Sequence, residues 1–263
     1  MSHSSLAGKH ILVTRAKEQA KVLSQAIRNT GGIPIEVPLL AFQPSKQQDS
    51  LQKKVDCIQQ YDWLVFTSAN GVRFFMEVFN QEGATQQKLP RIAVVGTKTA
   101  NVLRKYGLNA EVFPNEFVAE SLAKELKHYA KKGERILIVR GNLGREILAH
   151  ELEQFGLIVS DVIVYETVLP NSAYESMSQL LQSQTQLDVV TFTSSSTVSH
   201  FVKLIDELGI RHQLNTTAVA CIGPITAKTA QELGLNVDII PNSYTVEGLV
   251  EAIGSYIEEG NTQ

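Results

Sequence analysis

The sequence predicts an α/β protein of two pseudo-symmetric, doubly wound parallel-sheet lobes. Three observations carry that prediction: short apolar runs rich in Val and Ile, segments of helical period between them, and a match of the chain to itself about 126 positions further on.

The runs are Ile11 to Val13, Trp63 to Phe66, Ile92 to Val95, Ile136 to Val139, Val189 to Phe192 and Ala218 to Ile222. Continuous rather than alternating apolar character marks strands covered on both faces, as in a parallel sheet. Beyond Arg15, Ala20, Leu23 and Ile27 fall on one helical face, and the helix is expected to stop at Gly31-Gly32, where glycine enters the left-handed region without steric strain.

The self-match preserves the order of its units. Lys9 to Arg15 (KHILVTR) resembles Glu134 to Arg140 (ERILIVR) 125 positions later, and Phe66 to Asn70 (FTSAN) resembles Phe192 to Ser196 (FTSSS) at 126. Gly96 to Ala100 (GTKTA) resembles Gly223 to Ala227 (GPITA) at 127; the match runs on through Tyr106 to Asn115 and Leu233 to Asn242, then aligns Glu120 and Leu122 with Glu247 and Leu249. This period far exceeds the roughly 20 to 50 residues of solenoid repeats, so each copy is expected to be a whole lobe with its own core. Ile33 to Phe42 and Ile158 to Pro170, extended in character and proline-marked, are the expected linkers. The repeat leaves open whether each lobe is contiguous or whether the first block crosses over to join the distant second and third blocks.

Composition narrows the function. The 263 residues, 43% apolar, suffice for one large core or two of ordinary domain size. The 24 Lys and Arg against 27 Asp and Glu sum to −3 with no basic block, which argues against a nucleic-acid partner or a polybasic membrane anchor. Cys57 and Cys221 form no CxxC, which suits buried thiols in a reducing compartment. The polar start MSHSSLAGKH and the absence of any run near 18 apolar residues lead us to expect a soluble, cytoplasmic protein. With no sustained heptad, a monomer is the default expectation. The six histidines (His3, His10, His128, His150, His200 and His212) show no HExxH spacing, so no metal site is expected, and surface or helix-face positions are.

In an open parallel sheet, ligands bind outside the carboxyl ends of the strands, where helix amino termini present free N–H groups. Those ends carry Thr14-Arg15, Thr67-Ser68, Gly96-Thr97, Arg140-Gly141, Thr193-Ser194-Ser195 and Gly223-Pro224, a recurring set suited to anions. Helix capping is the competing role for each hydroxyl. Thr14-Arg15-Ala16-Lys17 contains no glycine, which removes a dinucleotide fingerprint or P-loop after the first strand, and Gly141-Asn142-Leu143-Gly144 is too little to restore one. No GxSxG is present, so nucleophilic hydrolysis has no candidate.

Several of these segments, taken together, resemble one family. VTR at Val13 to Arg15, FTSANGV at Phe66 to Val72, VYET at Val164 to Thr167, FTSSS at Phe192 to Ser196, IGPITA at Ile222 to Ala227 and PNSYTVEGLV at Pro241 to Val250 resemble the uroporphyrinogen-III synthase family over nearly the whole chain, in order.

The resemblance implies two flavodoxin-like lobes joined by a two-stranded linker. Lobe 1 would hold residues 1–38 and 169–263, lobe 2 residues 43–162, with 39–42 and 163–168 as linker strands. It implies a lyase that closes hydroxymethylbilane, a linear tetrapyrrole with eight carboxylates, into uroporphyrinogen III with inversion of the last pyrrole and loss of water, with no metal or organic cofactor. Tyr165 would assist the departing hydroxyl, with interlobe packing as its competing role. Thr14, Ser68, Asn70, Gly71, Gly96, Thr193, Ser194, Ser195, Gly223, Thr226 and Ala227 would meet substrate acetates and propionates, and Arg15, Arg140 and Lys228 could pair with carboxylates. Ile225 departs from the family pattern, which often has a hydroxyl there. Transient contact with the upstream bilane-forming enzyme is a further expectation.

Two other readings stay open at this stage. A two-lobed cytoplasmic binding module for an anionic metabolite would share the pseudo-symmetric lobes. A nucleotide-dependent transferase is the weakest, for want of a phosphate fingerprint.

Overall fold

Alternate residues of each central strand belong to two different cores. In the strand Trp63–Phe66, Trp63 and Val65 join one apolar cluster while Leu64 and Phe66 join the opposite one, and all four are fully buried. Such a strand needs helices on both sides, and that requirement sets the architecture. The computed structural model describes residues 5–81, 88–114, 119–144 and 147–260. His3 and the Asn115 that closes one repeat block lie outside the described residues.

Contacts divide the chain into two compact units, Met1–Ala41 with Val168–Gln263 (lobe 1) and Phe42–Thr167 (lobe 2). Lobe 1 contains β1 (His10–Val13), α1 (Lys17–Asn29) and β2 (Ile33–Glu36) from the start of the chain. In lobe 2, β3 (Ala41–Pro44) leads to α2 (Gln48–Asp56), β4 (Trp63–Phe66), α3 (Ala69–Gln81), β5 (Arg91–Val94) and α4 (Thr97–Lys105). Then come α5 (Ala119–Leu126), β6 (Arg135–Gly141), α6 (Ile147–Phe155) and β7 (Ile158–Val168). The chain returns to lobe 1 with α7 (Asn171–Gln182), β8 (Val189–Phe192), α8 (Ser195–Glu207), β9 (Ala218–Cys221), α9 (Pro224–Glu232) and α10 (Val246–Gly260).

The sheet of lobe 1 has the order β2-β1-β8-β9, extended by a parallel bridge between Ala220 and Ile239. The sheet of lobe 2 has the order β3-β7-β6-β4-β5, extended by the equivalent bridge between Ala93 and Val112. With β6, β7, β4 and β5 matched to β1, β2, β8 and β9, both lobes follow the flavodoxin-like order 2-1-3-4-5. The repeat is circularly permuted: lobe 2 threads its third and fourth strands before its first and second. The two segments read as linkers do more than connect, because β3 and β7 are neighbours in the lobe 2 sheet and β7 pairs with β6 from Ile158 to Tyr165.

Helices complete both layers of each lobe. In lobe 1, Ala20, Leu23 and Ile27 of α1 and Leu249, Val250 and Ile253 of α10 cover Ile11, Val13 and Val189. Val198, Phe201, Leu204 and Ile205 of α8 cover Leu12, Val190 and Phe192 on the other face. In lobe 2, α5 and α6 pack on one face, and α2, α3 and α4 on the other. Each fully buried Leu, Ile or Phe contributes about 1.5–3 kcal/mol. Helix α1 ends as its glycines require: Gly31 has φ 84°, and a Cβ on Gly32 would lie 2.7 Å from Ile27 Cγ2.

The join between the two chain segments of lobe 1 is the pairing of β1 with β8. Two buried hydroxyls lock it reciprocally: Thr14 donates to the Thr191 carbonyl at 2.6 Å, and Thr191 donates to the Leu12 carbonyl at 2.8 Å. Thr191→Val removes one of these bonds at nearly constant volume. It should cost about 0.5–1.5 kcal/mol and lower the midpoint of urea unfolding without changing far-UV circular dichroism.

Candidate functional site

The crevice of a doubly wound sheet opens where neighbouring strands send their connections to opposite faces, between β1 and β8 in lobe 1 and between β6 and β4 in lobe 2. At that point in lobe 2, β4 runs into Thr67, Ser68 and the start of α3. Ser68 Oγ accepts the Gly71 N–H at 3.0 Å, so it caps α3, and it lies 3.2 Å from the Tyr165 hydroxyl. Thr67 donates to the Val139 carbonyl at 3.2 Å, tying the β4 end to β6.

Tyr165 is half-buried near the end of β7. Its ring stacks on Phe74 at 5.6 Å between centroids and meets the Phe42 ring edge-on at 5.8 Å. Beneath it lies Gly141, at a β-bulge where the β6–β7 register shifts between Arg140 and Gly141. Bulges re-aim side chains beside functional sites.

The arginines at equivalent ends of β1 and β6 differ. Arg140 is held by Asp161 at 2.6 Å and donates to the Gly144 carbonyl at 3.3 Å. Arg15 reaches Gln19 at 3.2 Å, while its Nε is buried without a hydrogen-bond partner among the described residues. Burial holds the Arg15 guanidinium below its ordinary pKa. Glu36, which pairs in register with Val13 as Asp161 does with Ile138, is taken by the Ser24 hydroxyl at 2.6 Å rather than by Arg15.

The remaining predicted residues fall into two groups. The first stands at strand ends or in the first turns of helices. Thr193, Ser194 and Ser195 follow β8; Ser194 caps α8 by accepting the Thr197 N–H at 3.3 Å, and Ser195 receives a hydrogen bond from Thr229 at 2.7 Å. Gly96 and Gly223 are the extended residues preceding α4 and α9, and a Cβ on Gly223 would approach the Tyr244 ring at 3.3 Å. Asn70 sits in the first turn of α3, where its side-chain oxygen accepts from Arg73 at 3.3 Å. The second group is less available to a ligand through its side chains. Thr14 is fully buried with its hydroxyl committed to Thr191, and Thr226 and Ala227 are buried in α9. Lys228 is exposed and lies 3.9 Å from Glu232. Thr229, Phe42 and Phe74 escaped the sequence reading as site residues, and Gly141 and Asn142 entered it only as a strand end and as part of a stretch too short for a phosphate motif.

Among the described residues no cluster of three or more His, Cys, Asp or Glu could hold a metal, and no helix is long and apolar enough to cross a membrane. Pseudo-symmetric flavodoxin-like lobes, with hydroxyls and helix amino termini at their strand ends, define a two-lobed, doubly wound α/β protein, a class that takes small molecules at those ends. A family model described as uroporphyrinogen-III synthase HemD matches residues 21–251. The uroporphyrinogen-III synthase of Synechococcus elongatus is 36% identical over 98% of this chain and 99% of its own length, and a putative one from Methanocaldococcus jannaschii is 32% identical over 92% and 97%. In fold, the chain is similar to a mutant uroporphyrinogen III synthase from the extreme thermophile Thermus thermophilus (TM-score 0.62, 17% identity, 96% and 100% coverage). It is also similar to uroporphyrinogen-III synthetase from Helicobacter pylori (TM-score 0.56, 17% identity, 94% and 99%). The chain belongs to the uroporphyrinogen-III synthase family.

Neither cysteine lies among these site residues. Cys221 is buried in β9 and its thiol is pushed up to about 12 by desolvation, whereas Cys57 is exposed. At pH 8 a disulfide reagent should therefore label one thiol in the native protein and two in guanidinium, as read by released chromophore.

Proposed function

We propose that this chain is a carbon–oxygen lyase that cyclises hydroxymethylbilane to uroporphyrinogen III, inverting the last pyrrole and releasing water. The observation that carries the mechanism is the pair of hydroxyls, Tyr165 and Ser68, 3.2 Å apart at the carboxyl end of the lobe 2 sheet.

Departure of the terminal hydroxyl as water needs a proton or a strong hydrogen bond on that oxygen, and the Tyr165 phenol supplies it. The phenol oxygen that has given its proton then needs a donor. Ser68 already accepts the Gly71 N–H, so its own proton is available for Tyr165. Pyrrole electrons expel the leaving group, and the resulting azafulvene is attacked through a spiro intermediate that re-closes with the last ring reversed. Since the free bilane also tends to close without inversion, the protein contributes mainly by holding geometry; in favourable systems positioning accounts for roughly 7 to 11 kcal/mol.

The substrate's carboxylates fit the strand ends. N–H groups at the starts of α3, α4, α8 and α9 and the hydroxyls of Ser194 and Ser195 bind anions without a basic protein overall. A carboxylate beside Arg15 would give its buried Nε an acceptor. In this reading the enzyme is monomeric and cytoplasmic, and it receives its labile substrate through transient contact with the bilane-forming enzyme.

Incubation with hydroxymethylbilane generated in situ, followed by oxidation and chromatography, should give mainly the type III isomer. A product mixture unchanged from the type I background would leave a binding module instead. Tyr165→Phe should lower turnover severalfold at little change in KM, and full turnover would remove Tyr165 from the mechanism. Arg15→Ala should raise KM severalfold; an unchanged KM would remove it from substrate binding.

A further inference from the structure

The Gly-Asn pair at the end of β6 has no counterpart in the repeat. We infer that Gly141 and Asn142 are positioning residues that seat the Tyr165 hydroxyl for catalysis, an inference that rests on the role proposed for Tyr165.

Three contacts carry it. A Cβ on Gly141 would lie 2.4 Å from Tyr165 Cζ and 2.8 Å from both Cε2 and the hydroxyl oxygen, so the phenol occupies space that only glycine leaves open. The ring has little room to yield, because Phe74 stacks on it and Phe42 meets it edge-on. Asn142 then fixes the backbone on both sides of the next residue. Its N–H donates to the Tyr165 carbonyl at 3.1 Å, its Oδ1 accepts the Thr167 N–H at 2.8 Å, and its Nδ2 faces the Thr167 carbonyl at 3.4 Å. The side-chain amide thus stands in for a peptide group and continues the pairing of β7 past the bulge.

The other lobe shows what the pair replaces. There β1 ends at Val13, and the position equivalent to Gly141 is Ala16, the residue that caps α1. Strand β6 runs seven residues against four in β1, and the added length carries the bulge beneath Tyr165. The repeat departs from itself where the phenol must be aimed.

The test is a double-mutant cycle on the full-length protein with hydroxymethylbilane as substrate. Gly141→Ala should lower kcat severalfold, by no more than Tyr165→Phe does, with KM nearly unchanged and the thermal midpoint lowered by only a few degrees. In a Tyr165→Phe background, the same substitution should cost nothing further, because residues acting through one group are not additive. A crystal structure of Gly141→Ala should show the Ser68–Tyr165 separation opened beyond hydrogen-bond reach. Asn142→Ala, which adds no bulk, should lower kcat severalfold and serves if Gly141→Ala does not fold. Parental kcat in both variants, losses that multiply on Tyr165→Phe, or an unmoved hydroxyl in the Gly141→Ala crystal would each overturn the positioning role alone. Full turnover by Tyr165→Phe would overturn the catalytic reading and this inference with it.

Discussion

The constraint on which this structure rests is that every central strand is covered on both faces. Because alternate residues enter opposite cores, as Leu12 and Val13 do in β1, neither face of a sheet is left for a ligand. The strand ends are what remains. In a parallel sheet all carboxyl ends lie along one side, so the residues just beyond them are collected there, together with the N–H groups of the helices that follow. Ser68, Gly96, Ser194, Gly223 and the Tyr165 phenol each stand on that side of their own sheet.

The repeat gives two such sides, and they differ in detail. Arg140 is paired with Asp161, whereas Glu36, the equivalent partner for Arg15, is taken by Ser24, and Arg15 keeps a buried nitrogen with no hydrogen-bond partner among the described residues. Ser194 caps α8 much as Ser68 caps α3, yet the phenol stands beside Ser68. The position equivalent to Phe74, the ring that stacks on Tyr165, is His200, which engages the Leu39 carbonyl at 2.7 Å. The two lobes thus share their strand-end framework and differ in the side chains that stand on it.

The fold was legible in the sequence because burial on both faces writes itself as short continuous apolar runs. Each of the six runs coincides with a strand to within two residues, and the glycine stop after Ile27 lies where α1 ends. The repeat signalled two similar lobes but not their threading, since equal offsets fit contiguous and crossed-over chains alike. At the site, residue types were legible and their commitments were not. Nothing local to Thr14 announces that its hydroxyl is consumed by Thr191, which lies 177 positions away. The Gly141–Tyr165 approach is likewise a contact between two strands, invisible to spacing along either one.

The circular permutation also orders events during synthesis. Lobe 2 is encoded without interruption from Phe42 to Thr167, so it can close as soon as it leaves the ribosome. The leading segment cannot, because β1 must wait for β8, more than 150 residues later, to cover its inner edge. At roughly 5 to 20 residues per second that delay lasts on the order of 10 to 30 seconds. Throughout it, a β–α–β fragment with one unpaired strand edge is tethered to a finished neighbour. The nascent chain therefore holds the inner edge of β1 open until β8 emerges.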